Sequence, residues 1–316
     1  MKLIAEFCQN HNGNREILKE MIEAASASGF THAKIQALYS DELVFRQEFE
    51  IPEASLYRPY EPEFKRLKGL DLTHGDEIWF VQECLKQGLT PMITVFSHSG
   101  LERARSAGFN SVKIASYDCA SLPLIRRVSD FAQEIVISTG ATTWDDVIRT
   151  SILLKTLKDK NKSITLLHAR TIYPTPSNET GLSRMLALKD IGFPFGFSDH
   201  SKPEDDGLLA SYFAIFLGAS ALERHFTVLE RSKTKDGPVS ITQKDAEDLK
   251  QFSQMTRKEQ ILFLGESLNR MGEFMYISTL EPTELEIRNA TYYRGRVASR
   301  IEGSIINSWE ELPDFA

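Results

Sequence analysis

Eight short apolar runs recur along the 316-residue chain: Leu3–Ala5, Ala33–Ile35, Met92–Phe96, Val112–Ala115, Ile135–Ile137, Ile164–Leu167, Phe193–Phe197 and Ala221–Phe226. Most are β-branched or aromatic and too short for helices, so they read as parallel strands buried on both faces. Helical patterns lie between them. Residues 14–28 carry Ile17, Leu18, Met21, Ile22 and Ala25 on one stripe, closed by Gly29. Residues 76–87 repeat the pattern with Ile78, Val81, Cys84 and Leu85 before Gly88. Pro203 opens a helix that runs to Gly218, and Thr242 with Asp245 forms a capping box for a long helix towards Leu264. Eight strand–helix units in ~265 residues point to an α/β protein of the (β/α)₈ barrel type. A doubly wound sheet is the alternative, but the Gly-x-Gly-x-x-Gly turn that usually marks it is absent. Residues 38–72, with Pro52, Pro59 and Pro62, read as an inserted loop. The division expected is a barrel over 1–265 and a short C-terminal extension over 266–316, too short for a second core.

Charge and cysteine content narrow the partners. Lys and Arg number 37 against 44 Asp and Glu, a net −7, which disfavours general nucleic-acid binding but leaves room for a small anion in a local basic pocket. Cys8, Cys84 and Cys119 form no Cys-x-x-Cys pair, so a reduced, cytoplasmic compartment is expected. Glu6 interrupts the N-terminal apolar stretch where a signal peptide would keep it, and no apolar run reaches the ~18 residues of a membrane span. His32, His74 and His98 read as surface residues, and Trp79 and Trp144 as packing residues.

In a barrel, chemistry sits at the carboxyl ends of the strands. There the sequence places Glu6 and Asn10, Lys34 and Gln36, Thr94, Lys113 and Ser116, Ser138, Tyr173, Ser198 and His200, and Glu223 with His225. Lysines in apolar strands are costly unless paired with an acid or an anion, so Lys34 and Lys113 are either internal partners of Glu6 and Glu223 or ligand contacts. Ser138-Thr139-Gly140 before a helix is either a cap or a phosphate cradle. His200 and His225 end adjacent strands, where two imidazoles fit a divalent metal.

These segments resemble the N-acetylneuraminate (sialic acid) synthase family. The matching stretches are Ile4-Ala5-Glu6 with Asn10-His11-Asn12-Gly13, Ala33-Lys34-Ile35-Gln36, Lys113-Ile114-Ala115-Ser116, Ser138-Thr139-Gly140, Tyr173-Pro174-Thr175-Pro176, Ser198-Asp199-His200 and Glu223-Arg224-His225-Phe226-Thr227. The resemblance implies condensation of phosphoenolpyruvate with an aldehyde sugar such as N-acetylmannosamine, giving a 2-keto-3-deoxy sugar acid and phosphate. It implies that Lys34, Thr94, Lys113, Ser116, Ser138 and Ser198 hold phosphoenolpyruvate. Glu6, Asn10, Gln36, Tyr173 and Asp236 would contact the sugar. Glu223, Lys113 and Glu6 would be catalytic, with Glu223 handling the water. His200 and His225 would bind a divalent metal, Mn²⁺ ahead of Mg²⁺ or Co²⁺. A homodimer is implied, in which a C-terminal antifreeze-like domain reaches the partner's site.

The chain departs from the family pattern in three places. Gly181 stands where the family has an asparagine that contacts phosphoenolpyruvate. Lys235-Asp236-Gly237-Pro238-Val239-Ser240 replaces Pro-Gly-Pro-Asp-His. Only Arg294–Gly303 resembles the start of the antifreeze-like domain. Two other functions stay open on the residues: a Schiff-base aldolase using Lys113, and a catalytically weakened barrel that binds a sugar phosphate or a partner.

Overall fold

The computed structural model describes residues 1–54, 56–158 and 162–312. All eight apolar runs are strands: β1 (Lys2–Glu6), β2 (His32–Ala37), β3 (Thr90–Val95), β4 (Ser111–Ile114), β5 (Glu134–Ser138), β6 (Ser163–Ala169), β7 (Phe195–Asp199) and β8 (Ala221–His225). They close in sequence order into a parallel barrel, with β8 beside β1. Leu3, Ala5, Ala33, Ile35, Ile93, Val95, Val112 and Ile114 face outward into the core shared with the helices.

The inward residues change character every second position along each strand, as the pleat requires. At the amino end Glu134 meets Lys2 (2.5 Å), His32 (2.9 Å) and Ser111 (2.5 Å). One step up, Ile4, Met92, Val136, Leu167 and Ala221 form an apolar plug. One step further the same strands present Glu6, Thr94, Ser138 and Glu223. The plug thus separates a structural ion cluster below from the polar mouth above. Burial opposes ionisation of Glu134, but its bonds to His32, Lys2 and Ser111 prevail and hold its pKa at about 2. A carboxylate with a depressed folded-state pKa contributes stability above the ordinary carboxylate range and loses it as pH falls towards 2. Glu134→Gln should therefore cost about 2 kcal/mol at pH 7, shrinking as pH falls towards 2, without altering activity. Thermal melts at pH 7 and pH 3, alongside an activity assay, check this.

Local signals fix the helices. Asn14 caps Arg15–Ala27 by accepting from the N–H groups of Glu16 and Ile17. The helix expected from residue 76 starts earlier, at His74, because Thr73 and Asp76 form a capping box. Two long helices are interrupted. Consecutive left-handed residues, Gly207 (φ 61°) and Leu208 (φ 69°), split the one opened by Pro203 into Pro203–Asp206 and Leu209–Phe216. The helix capped by Thr242 ends at Gln254, and Thr256 with Glu259 caps a second one, Arg257–Leu264. The 38–72 insertion contains a helix, Tyr60–Lys68.

His32 and His98 are buried rather than at the surface: His32 is paired with Glu134, and His98 lies under the tail with Nε2 2.9 Å from the Glu310 carbonyl. Trp79 and Trp144 pack against the core as expected. All three cysteines are buried and unbridged. No helix among the described residues is long and apolar enough to cross a membrane.

Candidate active site

The carboxyl end of the barrel opens into a cavity of about 390 Å³. Strand register brings its residues side by side: Glu6 lies opposite Lys34 and His225, Thr94 opposite Lys113, and Ser198 opposite Glu223. Lys34 donates to Glu6 and, at 2.9 Å, to Thr94 Oγ1. Lys113 Nζ lies 2.7 Å from both carboxylate oxygens of Glu223, and Ser198 donates to the same carboxylate at 2.8 Å. Lys34 is a further 3.6 Å from Glu223. Burial alone would raise the Glu223 pKa; the Lys113 and Lys34 ammoniums overcome it and hold the carboxyl well below its usual range. Burial also lowers Lys34, to about 7, against the pull of Glu223.

Each lysine is paired with a buried acid, and each also lines the cavity. Ser116 and Ser138 both line the cavity, and the buried Ser138 hydroxyl has no hydrogen-bond partner within the protein. Gly140 sits where a Cβ would meet Ala169 O at 2.6 Å and Ser116 Oγ at 2.9 Å, so this turn needs glycine to approach the neighbouring strand ends.

Across the cavity stand the two histidines. His200 Nδ1 is 2.7 Å from the Arg170 carbonyl, which leaves Nε2 free of the backbone. Tyr173, half exposed at the rim, lies over His200 with ring centroids 4.1 Å apart. The His200 and His225 rings are 5.5 Å apart, a spacing one ion can span with bonds of ~2.1 Å. Burial lowers both imidazoles, His200 to about 3, so both are in the neutral form that binds metals. Buried His225 Nδ1 and Asp236 Oδ2 have no hydrogen-bond partner, as expected of groups that fit a divalent ion.

Of the residues expected to contact the sugar, Glu6, Gln36, Tyr173 and Asp236 line the cavity, but Asn10 does not. Its amide is fully buried, donates to Phe226 O (2.8 Å) and Ser240 Oγ (2.9 Å), and accepts from Thr234. Both ends of the side-chain amide are used in fastening the segment 226–240, so Asn10 is a positioning residue.

Gly181 also lies outside the cavity. It adopts φ +64°, and a Cβ there would run into Ile277, so the C-terminal tail occupies the space an asparagine would need.

Other cavity residues carry no motif. Arg58 and Arg66 come from the 38–72 insertion, and Asn289, Tyr293 and Arg296 from the tail. The tail folds over the barrel of its own chain. Buried Glu286, on the helix Glu284–Tyr293, pairs with Arg170 at 2.9 Å and accepts from the Thr171 N–H at 3.0 Å. Tyr293 stacks on Tyr117, centroids 4.6 Å apart. Beyond it a hairpin, β9 (Ala298–Ile301) and β10 (Ser304–Asn307), leads to Ser308 and Trp309, both bonded to buried Asp118. Runs of polar residues do not announce such contacts, because the partners lie more than 100 residues away.

Comparison with known proteins gives a consistent picture. The NeuB family model matches residues 21–263. An N,N'-diacetyllegionaminic acid synthase of Campylobacter jejuni is 28% identical over 263 residues, covering 82% of this chain and 76% of that protein. A pseudaminic acid synthase of Helicobacter pylori is 28% identical over 283 residues, covering 86% and 77%. In three dimensions the chain is similar to an N-acetylneuraminic acid (sialic acid) synthetase from Leptospira borgpetersenii, with a TM-score of 0.69 at 23% identity over 92% of this chain and 90% of the other. That last likeness concerns the fold.

Proposed function

The chain belongs to the NeuB family, and from that premise we propose that it is a cytoplasmic synthase joining phosphoenolpyruvate to an aldehyde sugar of the N-acetylmannosamine class. The products are a 2-keto-3-deoxy (nonulosonic) sugar acid and phosphate. The observation that carries this reading is the charge of the cavity. Lys34, Arg58, Arg66, Lys113, Lys235 and Arg296 line it against three carboxylates, Glu6, Glu223 and Asp236, in a chain of net −7. A compact trianion answers that excess.

Lys34, Lys113, Thr94, Ser116, Ser138 and Ser198 are proposed to grip its carboxylate and phosphate. The enol carbon of phosphoenolpyruvate forms the new C–C bond to the aldehyde carbon, whose oxygen takes a proton. The cation left at C2 takes hydroxide from water while Glu223 accepts the water's other proton. The C2–O bond to phosphorus then breaks, the C2 hydroxyl loses its proton to become the ketone, and phosphate departs. Glu223 is suited to this because the arriving anion draws Lys113 and Lys34 away from it, which raises its basicity. Glu6, Gln36, Tyr173 and Arg296 surround the space left for the sugar. A divalent metal at His200 and His225, Mn²⁺ first, would polarise the aldehyde carbonyl. The Schiff-base alternative is disfavoured because Lys113 Nζ is held by both oxygens of Glu223 and is not free to attack a carbonyl.

Phosphate release from phosphoenolpyruvate across a panel of aldehyde sugars, with and without chelator, tests this. Release that requires both sugar and metal supports it; a borohydride-trapped Lys113–pyruvate adduct without metal dependence overturns it. The buried Lys34 gives a pH signature. Its ammonium is present below about 7, so kcat/KM for phosphoenolpyruvate should fall as pH rises through that value. Lys34→Arg should remove that alkaline limb.

A further inference from the structure

We propose that Cys8 and Asp236 join His225 as ligands of the divalent ion, giving the site a thiolate and a carboxylate that the two-imidazole expectation lacks. This deepens the metal part of the functional reading and rests on it. Among the described residues, the ligand atoms of Cys8, His225 and Asp236 lie within 4.8 Å of one another. They converge from three elements: the turn after β1, the end of β8 and the 227–240 loop.

Two of the three carry unmet polar atoms. His225 is 6% exposed, and its Nδ1 has no hydrogen-bond partner. Asp236 Oδ2, 4.0 Å away, has none either. That distance is too long for a hydrogen bond. It suits two atoms that each lie ~2.1 Å from a shared ion, with a thiolate ~2.3 Å from it.

The surroundings hold all three in place. Cys8 adopts φ +43°, unusual for a residue with a Cβ, and its N–H donates to Glu6 Oε1 at 2.7 Å. Asp236 is set by its carbonyl, which accepts from Ser240 Oγ at 2.7 Å, and Ser240 is in turn held by Asn10. Gly237, the next residue, packs so close to the Arg231 backbone that a Cβ would overlap it, which fixes the loop's path. Asn10, which does not reach the cavity, thereby supports the metal site from behind.

The chemistry predicts metal preference. Thiolate, imidazole and carboxylate together favour Co²⁺, Zn²⁺, Fe²⁺ or Mn²⁺ over Mg²⁺, which prefers all-oxygen sites. His200 lies outside this set.

The test reads metal binding and not turnover. Apo protein titrated with Co²⁺ should develop a thiolate-to-cobalt charge-transfer band in the near ultraviolet at one equivalent. Cys8→Ser should abolish that band and weaken Co²⁺ binding about tenfold or more, and Asp236→Asn should weaken binding while keeping the band. Cys84 and Cys119 lie buried elsewhere and serve as internal controls. Should Cys8→Ser fail to fold, X-ray absorption of the Co²⁺-loaded natural chain decides: one sulfur in the first coordination sphere supports the proposal. A shell of nitrogen and oxygen only, a band that persists in Cys8→Ser, or no Co²⁺ binding at all overturns it. A sulfur-ligated ion in a protein that releases no phosphate would overturn the synthase reading and leave this inference standing.

Discussion

Replacing Lys113 by Met is expected to lower kcat for sugar-dependent phosphate release by about 10³-fold, the scale seen when one preorganised charge is removed from a site of developing charge. Lys113 is the principal partner of Glu223, bonded to both its oxygens, and with it gone the carboxylate keeps the Ser198 hydroxyl and, as a charged partner, Lys34 at 3.6 Å. The variant should also lose about 3 kcal/mol of stability, because a buried carboxylate is left undercompensated. The double variant Lys113→Met/Glu223→Gln separates the two effects. Removing the stranded charge should restore most of the stability and none of the activity. Recovery of turnover in the double variant would falsify the role given to the pair.

Glu286→Ala should act on the tail with comparable force. Glu286 neutralises Arg170 inside the protein, accepts from the Thr171 N–H and completes the capping box of its own helix at Thr283. Its loss leaves a buried guanidinium unpaired, at a cost of about 3–5 kcal/mol. That cost falls on a single segment, so opening of the tail should precede global unfolding. The expected result is early protease cleavage within 266–312 and a larger rise in KM for the acceptor sugar than for phosphoenolpyruvate, since Asn289, Tyr293 and Arg296 leave together. Equal rises in both KM values, or an unchanged protease pattern, would contradict the assignment of the tail to the acceptor side.

The barrel was legible in the sequence because parallel strands buried on both faces are short and rich in apolar, β-branched or aromatic residues, as most of the eight runs are. The charged mouth of the barrel was legible for a related reason. Lys34, Lys113 and Glu223 interrupt apolar strands, and such interruptions are costly unless they serve one another or a ligand. The break at Gly207 and Leu208 was not legible, since a leucine in the left-handed region carries no sequence signal, whereas the second capping box, Thr256 with Glu259, is a local pattern that the reading of one long helix passes over. The buried roles of His32 and His98 were hidden because each is defined by a partner, Glu134 or the Glu310 carbonyl, far along the chain. Asn10 was misassigned because its motif marks the site, whereas its amide faces away from the cavity and holds a loop. In the sequence Cys8 is a lone cysteine; only the fold brings His225 and Asp236 to it.

The most direct measurement uses phosphoenolpyruvate labelled with ¹⁸O in the bridging oxygen between C2 and phosphorus, incubated with metal and the best aldehyde sugar. Phosphate and a 2-keto-3-deoxy acid should form one to one, with the label in the phosphate, because the C2–O bond is the one that breaks. Label retained in the organic product, phosphate formed without sugar, or sugar acid formed from pyruvate in place of phosphoenolpyruvate would contradict it.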